Sequence, residues 1–272
     1  MAVTMADISK LRTMTGAGMM DCKNALIEAG NDFEKAVEII RKKGQAVAAK
    51  RSDREASEGC VLADTKDGYA AIIALKCETD FVAKNEDFIA LTKSILDAAL
   101  AAKATTTEEV AALKMDGRTI AELVTERSGI TGEKMELDYY VFVEGATVTA
   151  YIHPGNKLAS IVSFEEKDVD YQVARDIAMQ VAAMNPISLD RSSVPEKIIQ
   201  QELEIGKEKA RQEGKPEAIL DRIAEGRLNK FFSESTLLEQ AFIKESKQTI
   251  SDYLKANKAT VTAFKRVTLN VE

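Results

Sequence analysis

Two stretches of this sequence repeat one plan, and that plan restricts the fold more than any other feature. The first, GCVLADTKDGYAAIIALKC (residues 59–77), holds two β-rich runs around Lys-Asp-Gly, a hairpin signal. A helical stripe of Phe88, Leu91, Thr92, Ile95 and Ala99 follows. The second, GATVTAYIHPGNKLASIVSF (residues 145–164), again opens on glycine, reverses at a Gly-containing turn and returns in an apolar run. After it comes YQVARDIAMQVAAM (residues 171–184), a predicted helix that ends before Pro186. Each unit reads as hairpin, loop and helix, an imperfect internal repeat of an α+β subdomain. Between the units, TTTEEVAALKM and RTIAELVTERSG read as short helices and KMELDYYVFVE as a strand.

The flanking segments differ in character. Residues 1–52 read as three short helices with a thin core. Thr4 and Asp7 form an N-cap pair, glycines punctuate TGAG (residues 15–18), and a second helix covers about 20–29. Asn31 or Asp32 caps a third helix, which Gly44 is expected to stop. A long charged helical hairpin follows Pro195, reversing at Gly-Lys-Pro. Ile198, Ile199, Glu202, Ile205, Ile219, Leu220 and Ile223 supply its narrow seam, so it reads as a projecting antiparallel arm. The chain then closes with a helix over about 246–256 and a strand in TVTAFKRVTLNV.

Composition removes several classes of function. No apolar run reaches the roughly 18 residues that span a bilayer, and the N-terminus lacks a secretory signal pattern. The formal net charge is −7, which argues against broad binding of nucleic acid through phosphate neutralisation. One basic stretch, residues 41–54 (RKKGQAVAAKRSDR), stands out. It reads best as a solvated helix end, with a local RNA or acidic-partner contact as the other reading. Cys22, Cys60 and Cys77 are odd in number and form no C-x-x-C pair, so they read as free thiols of a reducing cytoplasm. His153 is the only histidine, phosphate-cradling motifs are missing, and SGITGEK (residues 128–134) resembles them only superficially. Metal, cofactor and acid–base chemistry therefore have no constellation to rest on, and no cofactor is expected.

What remains is a set of candidate contact residues. In KCETDFVAKNEDF (residues 76–88) an Asp and a large aromatic stand side by side where a strand gives way to a helix. Phe81 is either a core residue, the commoner fate of an aromatic, or part of a tip presented to another molecule. Asp80 either caps the next helix or shares that tip. Met19 and Met20 follow a glycine-rich turn, and two adjacent methionines cannot both face one narrow core stripe.

At these residues the chain resembles the bacterial elongation factor Ts family. LRTMTGAGMMDCKNAL (residues 11–26) is similar to the family's N-terminal signature and CETDFVAKNEDF (residues 77–88) to its second. IAMQVAAMNP and EGRLNKFF match as well, so the resemblance spans nearly the whole chain. It implies an N-terminal three-helix module of the ubiquitin-associated type (residues 1–52). A core of two related α+β subdomains (53–144 and 145–194) would follow, with a helical hairpin inserted in the second (195–232) and a closing helix and strand (233–272). It implies a guanine nucleotide exchange factor for elongation factor Tu, without covalent chemistry, in which Thr79, Asp80, Phe81 and Val82 form the segment that dislodges magnesium from Tu. Phe81 would be the wedge. Arg12, Met19 and Met20 would face the Tu nucleotide domain and His153 its third domain. The arm could also pair two copies of the chain. Many family members continue into an extra C-terminal helical module, for which no sequence is present before Glu272. Two other readings remain open here: an adaptor binding proteins through its N-terminal helices, and a small enzyme using His153 or Cys77.

Overall fold

The computed structural model describes residues 2–270. Helix α1 (Met5–Thr15) starts at a capping box. The Thr4 hydroxyl accepts from the Asp7 N–H at 3.2 Å, and the Asp7 carboxylate accepts from the Thr4 N–H at 3.0 Å. Gly16, at φ 71°, ends it. Helix α2 (Met19–Glu28) and helix α3 (Phe33–Lys50), the latter capped by Asp32, complete a bundle around Ile8, Leu11, Cys22, Leu26, Ala36 and Ile40.

Strands β1 (Glu58–Lys66) and β2 (Tyr69–Cys77) form the first predicted hairpin. Its two turn residues, Asp67 and Gly68, have φ of 49° and 73°, the paired left-handed conformations of a tight hairpin turn. A single helical turn α4 (Asp80–Ala83) and helix α5 (Glu86–Ala102) come next. Then come α6 (Thr107–Ala112), the short ribbon β3 (Lys114–Met115) and β4 (Arg118–Thr119), α7 (Ile120–Thr131) and β5 (Glu136–Glu144). Strand β5 returns to β2, giving an antiparallel sheet in the order β1-β2-β5.

The second unit repeats this arrangement. Strands β6 (Thr147–Ile152) and β7 (Leu158–Phe164) make the hairpin, and helix α8 (Tyr171–Met184) crosses over. The arm, α9 (Glu196–Gln212) and α10 (Leu220–Ser235), is followed by the ribbon β8 (Ala241–Phe242) and β9 (Glu245–Thr249). Helix α11 (Ile250–Ala256) and strand β10 (Val261–Thr268) close the unit, in the order β10-β7-β6. The fold is α+β, with the middle strand of each sheet supplied by the second strand of its hairpin. Val271, in the predicted closing strand, lies outside the described residues.

Burial explains the apolar run of β2. Tyr69, Ala71, Ile73, Leu75 and Cys77 point toward α5, while Ala70, Ile72 and Ala74 point the other way, against Ala159, Ile161 and Val267 of the second sheet. The sheets therefore pack back to back, with α5 and α8 on their outer faces. On the far side, Val162 and Phe164 meet Val173, Ile177 and Val181 of α8.

Four expectations need correction. Gly44 does not stop α3, which runs on to Lys50, because the helix there crosses α7. A Cβ built on Gly129 would lie only 2.0 Å from the Cα of Gly44, so the two helices meet backbone to backbone. The closing helix starts at Ile250, not near residue 246, because Thr249 and Asp252 form a capping box and the preceding residues pair as β9. In the arm the crossing is made by small side chains. Of the expected seam, Leu220 is buried and Ile198, Ile199, Glu202 and Ile223 are half-buried, but Ile205 and Ile219 are exposed; the helices meet at Gly206 and Ala224, with Ala210 also buried, since they approach closely only where side chains are short. Lastly, Asp80 does not cap α4; the Thr79 hydroxyl does, accepting from the Val82 N–H at 3.4 Å.

The glycine crossing is asymmetric, which makes a sharp test. A Cβ on Gly44 would sit 3.5 Å from the Gly129 Cα, an ordinary contact, and alanine gains roughly 1 kcal/mol of helix propensity over glycine. Gly44→Ala should therefore be neutral or stabilising in urea unfolding. Gly129→Ala must push two backbones apart and should cost about 1–3 kcal/mol. Equal effects of the two substitutions would refute the close crossing.

Candidate partner-binding site

Strand β2 ends at Cys77, whose register partner is Glu58 at the start of β1. The chain then has two residues, Glu78 and Thr79, before α4 opens. Helix α4 is one turn long, so its side chains must divide between core and solvent. Ala83 is buried and Val82 packs against the α5 core, whereas Phe81 is 85% exposed. Of the four residues Thr79, Asp80, Phe81 and Val82, the first and last face inward and the middle two outward. Core burial of Phe81, open on the sequence, is excluded. Asp80 pairs with Lys84 one turn on, at 2.7 Å, and that hydrogen bond holds its carboxyl below the usual carboxylate range.

Beneath the turn lies a set of contacts that reading along the chain does not reveal. Glu133, in the loop after α7, accepts from the N–H groups of Glu78 (3.1 Å) and Thr79 (3.0 Å) and from the Thr79 hydroxyl (2.6 Å). Glu78 in return accepts from the Lys134 N–H at 2.6 Å and from Arg51, one residue past α3, at 3.0 Å to each oxygen. Arg54 adds a contact at 3.4 Å. Burial alone would raise the Glu78 carboxyl, but the Lys134 N–H and the two guanidiniums outweigh it and hold its pKa low. The only sequence hint of Glu133 is the SGITGEK stretch, whose likeness to a phosphate motif is superficial.

The β6–β7 turn is brought to the same end of the molecule. Lys157 pairs with Glu58, and the Val61 N–H donates to the Asn156 carbonyl at 2.7 Å. His153 sits exposed in this turn, its Nδ1 3.0 Å from the Tyr151 hydroxyl, and Arg175 lies over the Tyr151 ring at 5.6 Å. On the N-terminal helices Arg12, Met19 and Met20 are all exposed, the methionines at 42% and 63%. The basic stretch 41–54 is largely engaged by the protein's own carboxylates: Arg41 with Glu126, Lys42 with Glu38, Lys43 with Asp21, and Arg51 and Arg54 with Glu78. Among the described residues no cluster of His, Cys, Asp and Glu could hold a metal ion, and no helix is long and apolar enough to cross a membrane.

Similarity to known proteins now decides the family. The sequence pattern of elongation factor TS matches residues 78–271. The chain belongs to the elongation factor Ts family. It is 61% identical to elongation factor Ts of Porphyromonas gingivalis and 58% identical to that of Azobacteroides pseudotrichonymphae, with both chains covered in full in each case. It is 49% identical to elongation factor Ts of Bacteroides fragilis, again with full coverage of both chains, over 331 aligned positions. Because this chain has 272 residues, the B. fragilis factor carries insertions that it lacks. A family of translation elongation factors thus accounts for the whole length.

The cysteines argue against thiol chemistry at this site. Cys77 lies in β2, and burial first, then the nearby Glu133 charge, push its thiol up to about 12. Burial lifts Cys60 to about 11 and raises Cys22 as well. A disulfide reagent such as DTNB at pH 8 should therefore react within minutes with none of the three thiols in the folded protein, and with all three after denaturation. Rapid labelling of folded Cys77 would revive the thiol enzyme reading.

Proposed function

We propose that this elongation factor promotes GDP release from elongation factor Tu, in the cytoplasm and without covalent chemistry or a cofactor, by inserting the Asp80–Phe81 turn near the magnesium and phosphate site. The observation that carries the reading is Phe81 itself, an aromatic 85% exposed on a turn fixed from below. A water-exposed phenyl ring gains by burial in a partner, and single central aromatics are typical of binding hot spots.

A GTPase holds GDP through its phosphate loop and Mg²⁺. An exchange factor needs only to bind the open, nucleotide-poor form more tightly than the GDP-bound form. By linkage, GDP affinity then falls by the factor by which GDP weakens the exchange factor. Phe81 would hold open a gap between elements of the nucleotide domain. Asp80, ionised and free to leave Lys84, would compete for the polar groups that support magnesium. Thr79 and Val82 would carry this pair. Arg12, Met19 and Met20 offer an exposed cationic and thioether surface for the same domain, and the His153 turn a further contact, for the third domain. Pairing of two copies through the arm forms no part of this reading.

Release of a fluorescent GDP analogue from Tu tests it directly. The wild-type chain should accelerate release strongly. Loss of a hot-spot ring worth about 2 kcal/mol predicts a fall of roughly 30-fold for Phe81→Ala, with a smaller fall for Asp80→Ala and unchanged circular dichroism for both. No acceleration by the wild type would overturn the function. Full acceleration by folded Phe81→Ala would move the site elsewhere.

A further inference from the structure

We infer that Glu133 is the positioning residue of the Phe81 turn, and that Glu133 and Glu78 together form a two-carboxylate latch tying the turn to α7 and α3. The inference rests on the reading of that turn as the working element. Its basis is the gap between ladder and helix. The strand ladder stops at Cys77 and α4 begins at Asp80, so the N–H groups of Glu78 and Thr79 belong to neither. A single carboxylate oxygen of Glu133 accepts from both.

The second Glu133 oxygen accepts the hydrogen bond from the Thr79 hydroxyl. A hydroxyl has one proton to donate, so this bond fixes its orientation and leaves a lone pair for the N–H of Val82. Glu133 thereby sets both the backbone before Asp80 and the cap that winds Asp80–Ala83 into a helical turn. Removing it would leave the turn attached through Val82 and Ala83 but free to pivot at residues 78–79.

Glu133 is itself fixed by its surroundings. It follows Gly132, whose φ of 73° ends α7, and its own N–H donates to the Thr131 hydroxyl at 3.3 Å. The clasp is reciprocal: Glu78 N–H to Glu133, and Lys134 N–H to Glu78. Arg51, whose Nη1 lies 3.0 Å from both Glu78 carboxylate oxygens, extends it to the end of α3. The segment after α3 is therefore joined to the Phe81 turn by the ion pairs of Arg51 and Arg54 with Glu78, while the Gly44–Gly129 crossing joins α3 to α7, which leads into Glu133.

The chain contains no tryptophan, so Phe81→Trp places a unique fluorophore at the tip. In that background we would compare Glu133→Ala, Glu133→Gln and Thr79→Val, using time-resolved anisotropy of the introduced indole and hydrogen exchange of the amides at 78–82. In the Phe81 background we would measure GDP-analogue release from Tu over a range of factor concentrations. The latch predicts that Glu133→Ala speeds exchange of the 78 and 79 amides at least tenfold and lowers the slow component of the indole anisotropy. The maximal release rate should fall roughly tenfold, while the half-saturating concentration changes less than threefold, because the docking surfaces are untouched. Glu133→Gln, which keeps one acceptor oxygen, should recover part of each loss. Should Glu133→Ala fail to fold, Thr79→Val, which removes the hydroxyl's bond to Glu133 together with its cap on the Val82 N–H but leaves both backbone bonds to Glu133, must still raise the mobility of the indole. Unchanged anisotropy and amide exchange in a folded Glu133→Ala would overturn the inference, whatever happens to release. Raised mobility with unchanged release would leave Glu133 as the anchor and overturn the functional reading of the turn instead.

Discussion

Everything in this molecule hangs on the back-to-back contact between its two sheets. Val61, Ala63, Ala70, Ile72 and Ala74 of the first meet Ala159, Ile161 and Val267 of the second, and the small residues among them let the layers approach closely. Because the contact runs through β1 and β2, it fixes where β2 ends relative to the second hairpin. The Glu58–Lys157 pair and the Val61–Asn156 hydrogen bond hold the β6–β7 turn against the start of β1, the register partner of the end of β2. The neighbouring positions of the Phe81 turn and the His153 turn thus follow from core packing rather than from any local signal at either turn.

The same packing decides which features are legible in the sequence. Both hairpins and their crossover helices are legible because turn chemistry and periodicity are local: Asp67-Gly68 announces its own geometry. The uninterrupted apolar run of β2 announces a strand but cannot say what covers its second face. The ends of α3 and α11 differ from expectation for separate reasons. Gly44 reads as a terminator until Gly129, far along the chain, is placed on top of it. The start of α11 is set by the Thr249–Asp252 box, a local signal that the sequence does carry. In the arm, isoleucines suggest a seam that close approach assigns to Gly206 and Ala224 instead.

At the candidate site the division is sharper. The Asp80–Phe81 pair is visible as an anomaly, yet its exposure is undecidable locally, since Val82 beside it could equally face out. Only the single-turn length of α4 and the packing of Val82 and Ala83 settle it. Glu133 leaves no usable trace, because its bonds reach back 54 and 55 positions and local periodicity carries no information at that range. Arg51 is visible only as part of a basic run, and its meaning changes once Glu78 is seen to accept from it twice.

Rigidity of the turn matters to the proposed exchange activity for a thermodynamic reason. A partner shifts an equilibrium only by its differential affinity for the two states, however tightly it binds either. Fully burying a phenylalanine side chain gains roughly 1.5–3 kcal/mol. A tip that could swing aside would collect the remaining contacts on the closed, GDP-bound form as well, and that gain would become uniform binding. On the proposed reading, a tip locked outward would have no seat on the closed form, so the ring's burial would count for the open form alone. Pre-ordering also removes the entropic penalty of fixing residues 78–82 on contact. If the turn works as proposed, the latch beneath it would convert an exposed aromatic from a sticky surface into a selective one.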